Sequence, residues 1–257
     1  MLHRASRAHT LIANTTNMKN IYLLLQFVAF GLMVSAQEKV INDPNAAARN
    51  AKNFHAIEIG DGVDLYLTQS NEEAVVVSAS KAEYRNKIST VVEDGILKIY
   101  YGPRNDWNFS WNNNRKLKAY VSCKTLDRLS GSGGSDITIN GTLKIPKLRL
   151  SISGGSDFKG AVETDDLNIS ASGGSDVIIS GRATTLKIDA SGGSDFKGYD
   201  LSSETCYAEG SGGSDMQIRV SKELNVNTSG GSDVYYKGSP SIKELKTSGG
   251  GSVSKRD

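Results

Sequence analysis

The sequence predicts an all-β chain folded as a single-stranded parallel β-helix, a solenoid with coils of about 18–21 residues behind a less regular β N-terminal part. Three observations predict it. The word Ser-Gly-Gly-Ser-Asp occurs six times, ending at Asp136, Asp157, Asp176, Asp195, Asp215 and Asp233, so that successive copies stand 21, 19, 19, 20 and 18 residues apart. A period this short suits one coil of a β-helix and is too short for paired-helix repeats. Between the copies, apolar residues recur in steps of two, the spacing of a strand with one buried face.

Residues 1–36 read as a secretory signal peptide: Lys19 precedes an apolar run from Ile21 to Val34, and Val34-Ser35-Ala36 offers small residues for cleavage. Those 14 residues fall short of the roughly 20 that a spanning helix needs. Met18 is the more natural start, because residues 1–17 only lengthen the region ahead of the apolar core. No cysteine stands at the cleavage point, so lipid attachment is not supported there. The expectation is an exported chain of the periplasm, cell envelope or extracellular space, with no integral membrane segment after cleavage.

Of the 30 basic residues, Arg4, Arg7 and Lys19 lie before residue 37, which leaves 27 against 28 acidic ones in the mature chain. Such a balance excludes a nucleic-acid footprint or a polybasic membrane patch, both of which need clustered Lys and Arg.

Residues 37–53 form a polar, alanine-containing lead-in, and residues 54–257 a single β-helix domain with its glycine repeats over 132–252. Ahead of the repeats, strands are expected around Val63, Leu65 and Leu67, around Val75, Val77 and Ala79, from Ile96 to Tyr101, and from Leu117 to Val121. Gly60-Asp61-Gly62 and Glu93-Asp94-Gly95 supply turns between them.

Within the repeats, residues nine, seven and five before each aspartate read Leu148, Leu150, Ile152, then Leu167, Ile169, Ala171, then Leu186, Ile188, Ala190, and finally Leu224, Val226, Thr228. They should face inward. The residue after each aspartate is always apolar: Ile137, Phe158, Val177, Phe196, Met216 and Val234. Two positions later come Ile139, Gly160, Ile179, Gly198, Ile218 and Tyr236, so a coil with Phe first has Gly second and the volumes compensate in a shared core.

The paired glycines Gly133-Gly134, Gly154-Gly155, Gly173-Gly174, Gly192-Gly193, Gly212-Gly213 and Gly230-Gly231 are read as turn formers, because a corner this tight calls for positive φ. Ser and Asp then cap the turn by accepting from backbone N–H groups. Cys123 and Cys206 are about four coils apart, roughly 19 Å at strand spacing, too far for a disulfide. Cys206 falls in the column of Leu148, Leu167, Leu186 and Leu224, the place of a buried small hydrophobe.

Candidate chemistry is sparse. The six aspartates, at positions 136, 157, 176, 195, 215 and 233, could form a calcium-binding ladder. Their spacing matches poorly to the nonapeptide calcium repeat, and turn capping is favoured. His55 is the mature chain's one histidine, far in sequence from the serine columns, so nucleophilic catalysis lacks a base and no cofactor is implied. Two cysteines without Cys-x-x-Cys give no zinc site. Trp107, Phe109 and Trp111 lie in the chain's aromatic cluster, which could stack on a ligand or cover an open solenoid edge. A carbohydrate-active, lyase-like β-helix enzyme is the competing class, but coils this short leave little room for cleft-building loops.

The mature chain resembles the bacterial family of the putative auto-transporter adhesin, head GIN domain. The resemblance rests on Phe54-x-x-Ile57-x-Ile59, on Val91 to Ile99, on the serial Ser-Gly-Gly-Ser-Asp turns, and on Tyr236-Lys237-Gly238-Ser239-Pro240. It implies a secreted or envelope-associated parallel β-helix without catalytic residues, adhesin-like and non-enzymatic. The implied partner is an unidentified glycan or protein surface. No strand-rich translocator follows the repeats in this sequence.

Overall fold

The computed structural model describes residues 43–102 and 114–257. The solenoid's repeating unit is a flattened coil with two faces, and its logic is clearest from residue 137 onward. β10 (Lys147–Ile152) runs along the first face to a glycine corner, and β11 (Phe158–Ala171) returns along the second face before bending back onto the first. Hence one strand belongs to two coils. Phe158 to Thr164 pair with Val177 to Ala183 on one face, while Asp166 to Ala171 pair with Lys147 to Ile152 on the other, all parallel. β12 (Asp176–Ala190), β13 (Asp195–Gly210) and β14 (Asp215–Thr228) repeat the path. β15 (Asp233–Lys237), β16 (Ser241–Thr247) and β17 (Val253–Lys255) complete it.

The inward columns stack in register. Leu148, Leu167, Leu186, Cys206 and Leu224 are successive partners on the first face, and all are essentially inaccessible. Ile137, Phe158, Val177, Phe196, Met216 and Val234 do the same on the second. Burying each large side chain contributes about 1.5–3 kcal/mol, and the slender interior accumulates that coil by coil. Cys123 and Cys206 are buried free thiols within it, and burial pushes them up to about 11 and about 12 respectively.

The compensation between Phe and Gly has a direct geometric cause. A Cβ on Gly198 would lie 2.3 Å from Cε1 of Phe196, and one on Gly160 would lie 2.5 Å from Ile139 Cγ1 and 3.0 Å from Phe158 Cζ. The phenyl rings lean over their own strand into the space that Ile179 and Ile218 fill in neighbouring coils.

The N-terminal part departs from simple winding. β2 (Ala56–Ile59) and β3 (Asp64–Gln69) make one rung, which lies between two others. On one side are β8 (Arg128–Gly131) and β9 (Ile137–Lys144), and on the other β6 (Ile96–Tyr101) and β7 (Lys118–Cys123), all parallel to it. Spatial order is therefore not chain order. Between β3 and β6 the chain builds a cap from β4 (Ala74–Ser78), the short α1 (Ala82–Arg85) and β5 (Ile88–Glu93). β4 pairs antiparallel with β7, and β5 antiparallel with β6. β1 (Ala47–Arg49), inside the lead-in, pairs antiparallel with β4. Reversed strands at this end occupy backbone groups that a parallel edge would leave open.

Candidate functional site

The corners are the feature that recurs most, and they come in two forms. Gly133 and Gly134, Gly154 and Gly155, and Gly173 and Gly174 all have positive φ, the pattern of a type I′ turn. In later copies Gly192, Gly212 and Gly230 do, but Gly193, Gly213 and Gly231 do not, the pattern of type II′. The last three thus differ from the sequence expectation. The two turn types differ by a flip of the central peptide, and the hydrogen bonds record it. Gly134 N–H donates forward to Gly154 O at 3.2 Å, whereas Gly213 and Gly231 N–H donate backward to Gly192 O and Gly212 O at 2.7 and 2.6 Å. At the seam between these two patterns, the N–H groups of Gly155, Gly174 and Gly193 have no acceptor among the described residues.

The N–H groups at the aspartate positions change acceptor at the same seam. Before it, Asp157 N–H donates to Asp136 Oδ1 at 3.3 Å and Asp176 N–H to Asp157 Oδ1 at 3.1 Å. After it, the N–H groups of Asp195, Asp215 and Asp233 donate to the carbonyls of Ser175, Ser194 and Ser214. In the last coil the first arrangement returns, with Ser252 N–H donating to Asp233 Oδ1 at 2.8 Å. Lys197 stands at the junction, with Nζ 2.8 Å from Asp176 Oδ2 and 3.3 Å from Asp195 Oδ2. The hydrogen bond to Asp176, more than that to Asp195, raises its ammonium above the usual lysine range. Burial raises the Asp136 and Asp215 carboxyls, and neighbouring ladder charges add to it.

The second serine of every motif, at 135, 156, 175, 194, 214 and 232, is wholly buried. Ser175, Ser194 and Ser232 each donate to the carbonyl of the first serine of their own motif at 2.9–3.0 Å. Their hydroxyls tie the corner to the core instead of facing outward.

A seventh, cryptic corner precedes the six. Gly60-Asp61-Gly62-Val63-Asp64 aligns with Ser132 to Asp136, since Ile59 pairs with Gly131 and Leu65 with Ile137. Asp61 and Gly62 have positive φ, and Asp64 Oδ1 accepts from Asp136 N–H. Val63 stands where Ser would, and Ser135 Oγ has no partner among the described residues. On sequence, Gly60-Asp61-Gly62 reads as a turn without being aligned to the repeat; the aspartate four residues on from Gly60 is the signal that could have aligned it.

As a cation site the ladder is ill-provisioned. Asp136 and Asp157 each accept a backbone N–H and Asp176 and Asp195 share Lys197, and among the described residues no three His, Cys, Asp or Glu side chains gather as metal ligands. His55 Nδ1 lies 3.0 Å from Asp127 Oδ2, both half-exposed. Trp107, Phe109 and Trp111 lie outside the described residues, in the chain between β6 and β7.

A different aromatic group stands on the outer second face. Tyr199, Gln217, Tyr235, Lys237, Arg256 and Asp257 line an open cleft of about 360 Å³. Lys237 Nζ lies 4.7 Å from the Tyr199 ring centre and Arg256 Cζ 4.6 Å from that of Tyr235. Sequence reasoning passed over these residues because they come from different coils. Gln217, Tyr235 and Ser254 are adjacent only through the parallel register.

Residues 53–240 match the family described as putative auto-transporter adhesin, head GIN domain. The chain belongs to that family. Its fold is also that of a putative adhesin from Bacteroides fragilis, with a TM-score of 0.76 at 22% identity over 82% of this chain and 96% of that one. A putative lipid binding protein from Parabacteroides distasonis gives 0.65 at 20% identity over 84% and 98%. A putative adhesin from Parabacteroides merdae gives 0.65 at 16% over 83% and 96%. No curated protein matches the chain significantly. At these identities the solved structures bear on the fold, and the head GIN family on the adhesin-like character of this β-helix domain.

Proposed function

We propose that this chain is an exported, non-enzymatic, adhesin-like protein whose work is to present the outer faces of its β-helix to a partner at a surface. The carrying observation is the shape of the coils. Their corners are four-residue turns, and the outward positions between Asp136 and Thr247 form ladders of mainly polar and charged side chains, interrupted by exposed Ile178, Tyr207, Ile242 and Leu245, with no projecting loop. A lyase-like enzyme would need opposed acid groups across a cleft. Ion pairs such as Lys144 with Glu163, Lys147 with Asp166, and Glu204 with Arg182 and Lys222 instead cross neighbouring coils along the ladders.

Export is supported by the apolar run before residue 37 and by the family. No helix among the described residues is long and apolar enough to cross a membrane. The test is direct: the mature chain, immobilised, should retain cells or cell-surface material saturably while releasing no products from polysaccharide. Saccharide cleavage by the purified chain would refute the non-enzymatic reading.

A further inference from the structure

The cleft on the second face brings two cation-ring pairs together. Along the ladders Lys144, Lys147, Arg182, Lys197, Lys222, Lys243 and Lys246 sit within ion-pair distance of a carboxylate. Lys237 and Arg256, like several other cations of these coils, do not, among the described residues. Each lies over a tyrosine ring, as Lys187 does over Tyr207 on the other face, but here two such pairs line one depression. Both rings are half-buried, so their positions are fixed by the sheet, and burial raises the Tyr199 hydroxyl above the usual tyrosine range. Tyr235 Oη is further held by Asp233 Oδ2 at 3.3 Å.

Rigid aromatic faces stack on the apolar side of a sugar ring, and a guanidinium presents a planar fork to a carboxylate or sulfate. Gln217 adds an amide able both to donate and to accept, and Asp257 adds a carboxylate acceptor for hydroxyl groups. The depression, of about 360 Å³, is largely open to solvent, so a sugar chain would lie along it without being enclosed.

We propose that this cleft is a subsite for an anionic glycan, a sugar chain carrying carboxylate or sulfate groups, with Lys237 and Arg256 holding the anion and Tyr199 and Tyr235 the ring. The proposal rests on the surface-binding function above and gives it a location and a ligand class. An anionic membrane is the less apt occupant. It calls for a cluster of several cations, whereas this cleft has two, with Asp233 and Asp257 beside them.

The test compares the mature wild-type chain with Lys237→Ala/Arg256→Ala and with Tyr199→Ala/Tyr235→Ala on an array of uronate-containing, sialylated, sulfated and neutral glycans, and on phosphatidylglycerol vesicles. Lys222→Ala, a change in a paired lysine, is the control. The expected result is retention of anionic glycans over neutral ones, reduced at least tenfold by the Lys237/Arg256 pair of changes and unaffected by the control. Melting curves identify any variant that fails to fold, and the exposed Arg256→Gln change alone then replaces it. Equal retention by wild type and cation variants would overturn the cleft while leaving surface binding intact. So would a preference for neutral glycans or for vesicles. No retention of any anionic glycan by the wild type would overturn it as well.

Discussion

The sign of φ distinguishes the two kinds of glycine at the second position of these corners. Gly134 has φ +72°, where an added Cβ meets no neighbour yet strains the backbone, while Gly193 has open space and an ordinary φ. Gly134→Ala is therefore expected to cost about 1–2 kcal/mol, and Gly193→Ala to be neutral or to stabilise by about 0.4–1 kcal/mol. Chemical denaturation of the two variants would show this, and equal losses would contradict the peptide flip.

Asp136 offers a second residue-level prediction. Its carboxyl is raised chiefly by burial, only partly offset by the Asp157 N–H. A raised folded pKa means that the folded state binds its proton more tightly. Stability is then lost as pH rises from the ordinary aspartate value through the folded one, and the cost is complete at neutrality. Asp136→Asn keeps an acceptor for Asp157 N–H and removes the charge. It should melt at or above wild type at pH 7, with the advantage disappearing in acid. A deficit of the same size at both pH values would count against this account.

At the scale of the element, the exchange of volume between Phe196 and Gly198 predicts non-additive mutations. Gly198→Ile should overpack the core by about 1–3 kcal/mol, and adding Phe196→Val, which recreates the Val177 and Ile179 pair, should recover much of that loss. Additive losses would mean that the two side chains do not share a space. The seam between the third and fourth corners predicts uneven protection. Gly174 and Gly193 amides should exchange with solvent faster than those of Gly213 and Gly231, which donate to carbonyls.

The coil itself was legible because each of its rules is local: alternation names the buried face, and glycine spacing names the corner. Cys206 could be placed in a leucine column from spacing alone. The turn types were not legible, because Gly-Gly accommodates type I′ and type II′ equally and the choice is made by the neighbouring coil. Nor was the rung order. Nothing in Ala56–Ile59 tells that the later strand β6 will pair on one side of it and β8 on the other.

For the whole molecule, the candidate ligand-binding groups that sequence could name were those clustered along the chain, such as Trp107 and Trp111. The cleft of Tyr199, Tyr235, Lys237 and Arg256 is assembled across coils, and only the stacking register brings it together. That register is also what the account depends on throughout. Arg149, Asn168, Lys187, Tyr207, Asn225 and Glu244 are successive outward partners on the first face. Five strand steps separate the ends, or about 24 Å at 4.8 Å per step. Spin labels on Arg149→Cys and Glu244→Cys, with the buried native thiols left unlabelled, allow that spacing to be measured by pulsed dipolar spectroscopy. A single narrow distribution near that distance is predicted; a broad one, or one centred far beyond the reach of the label arms, would contradict the stacked solenoid.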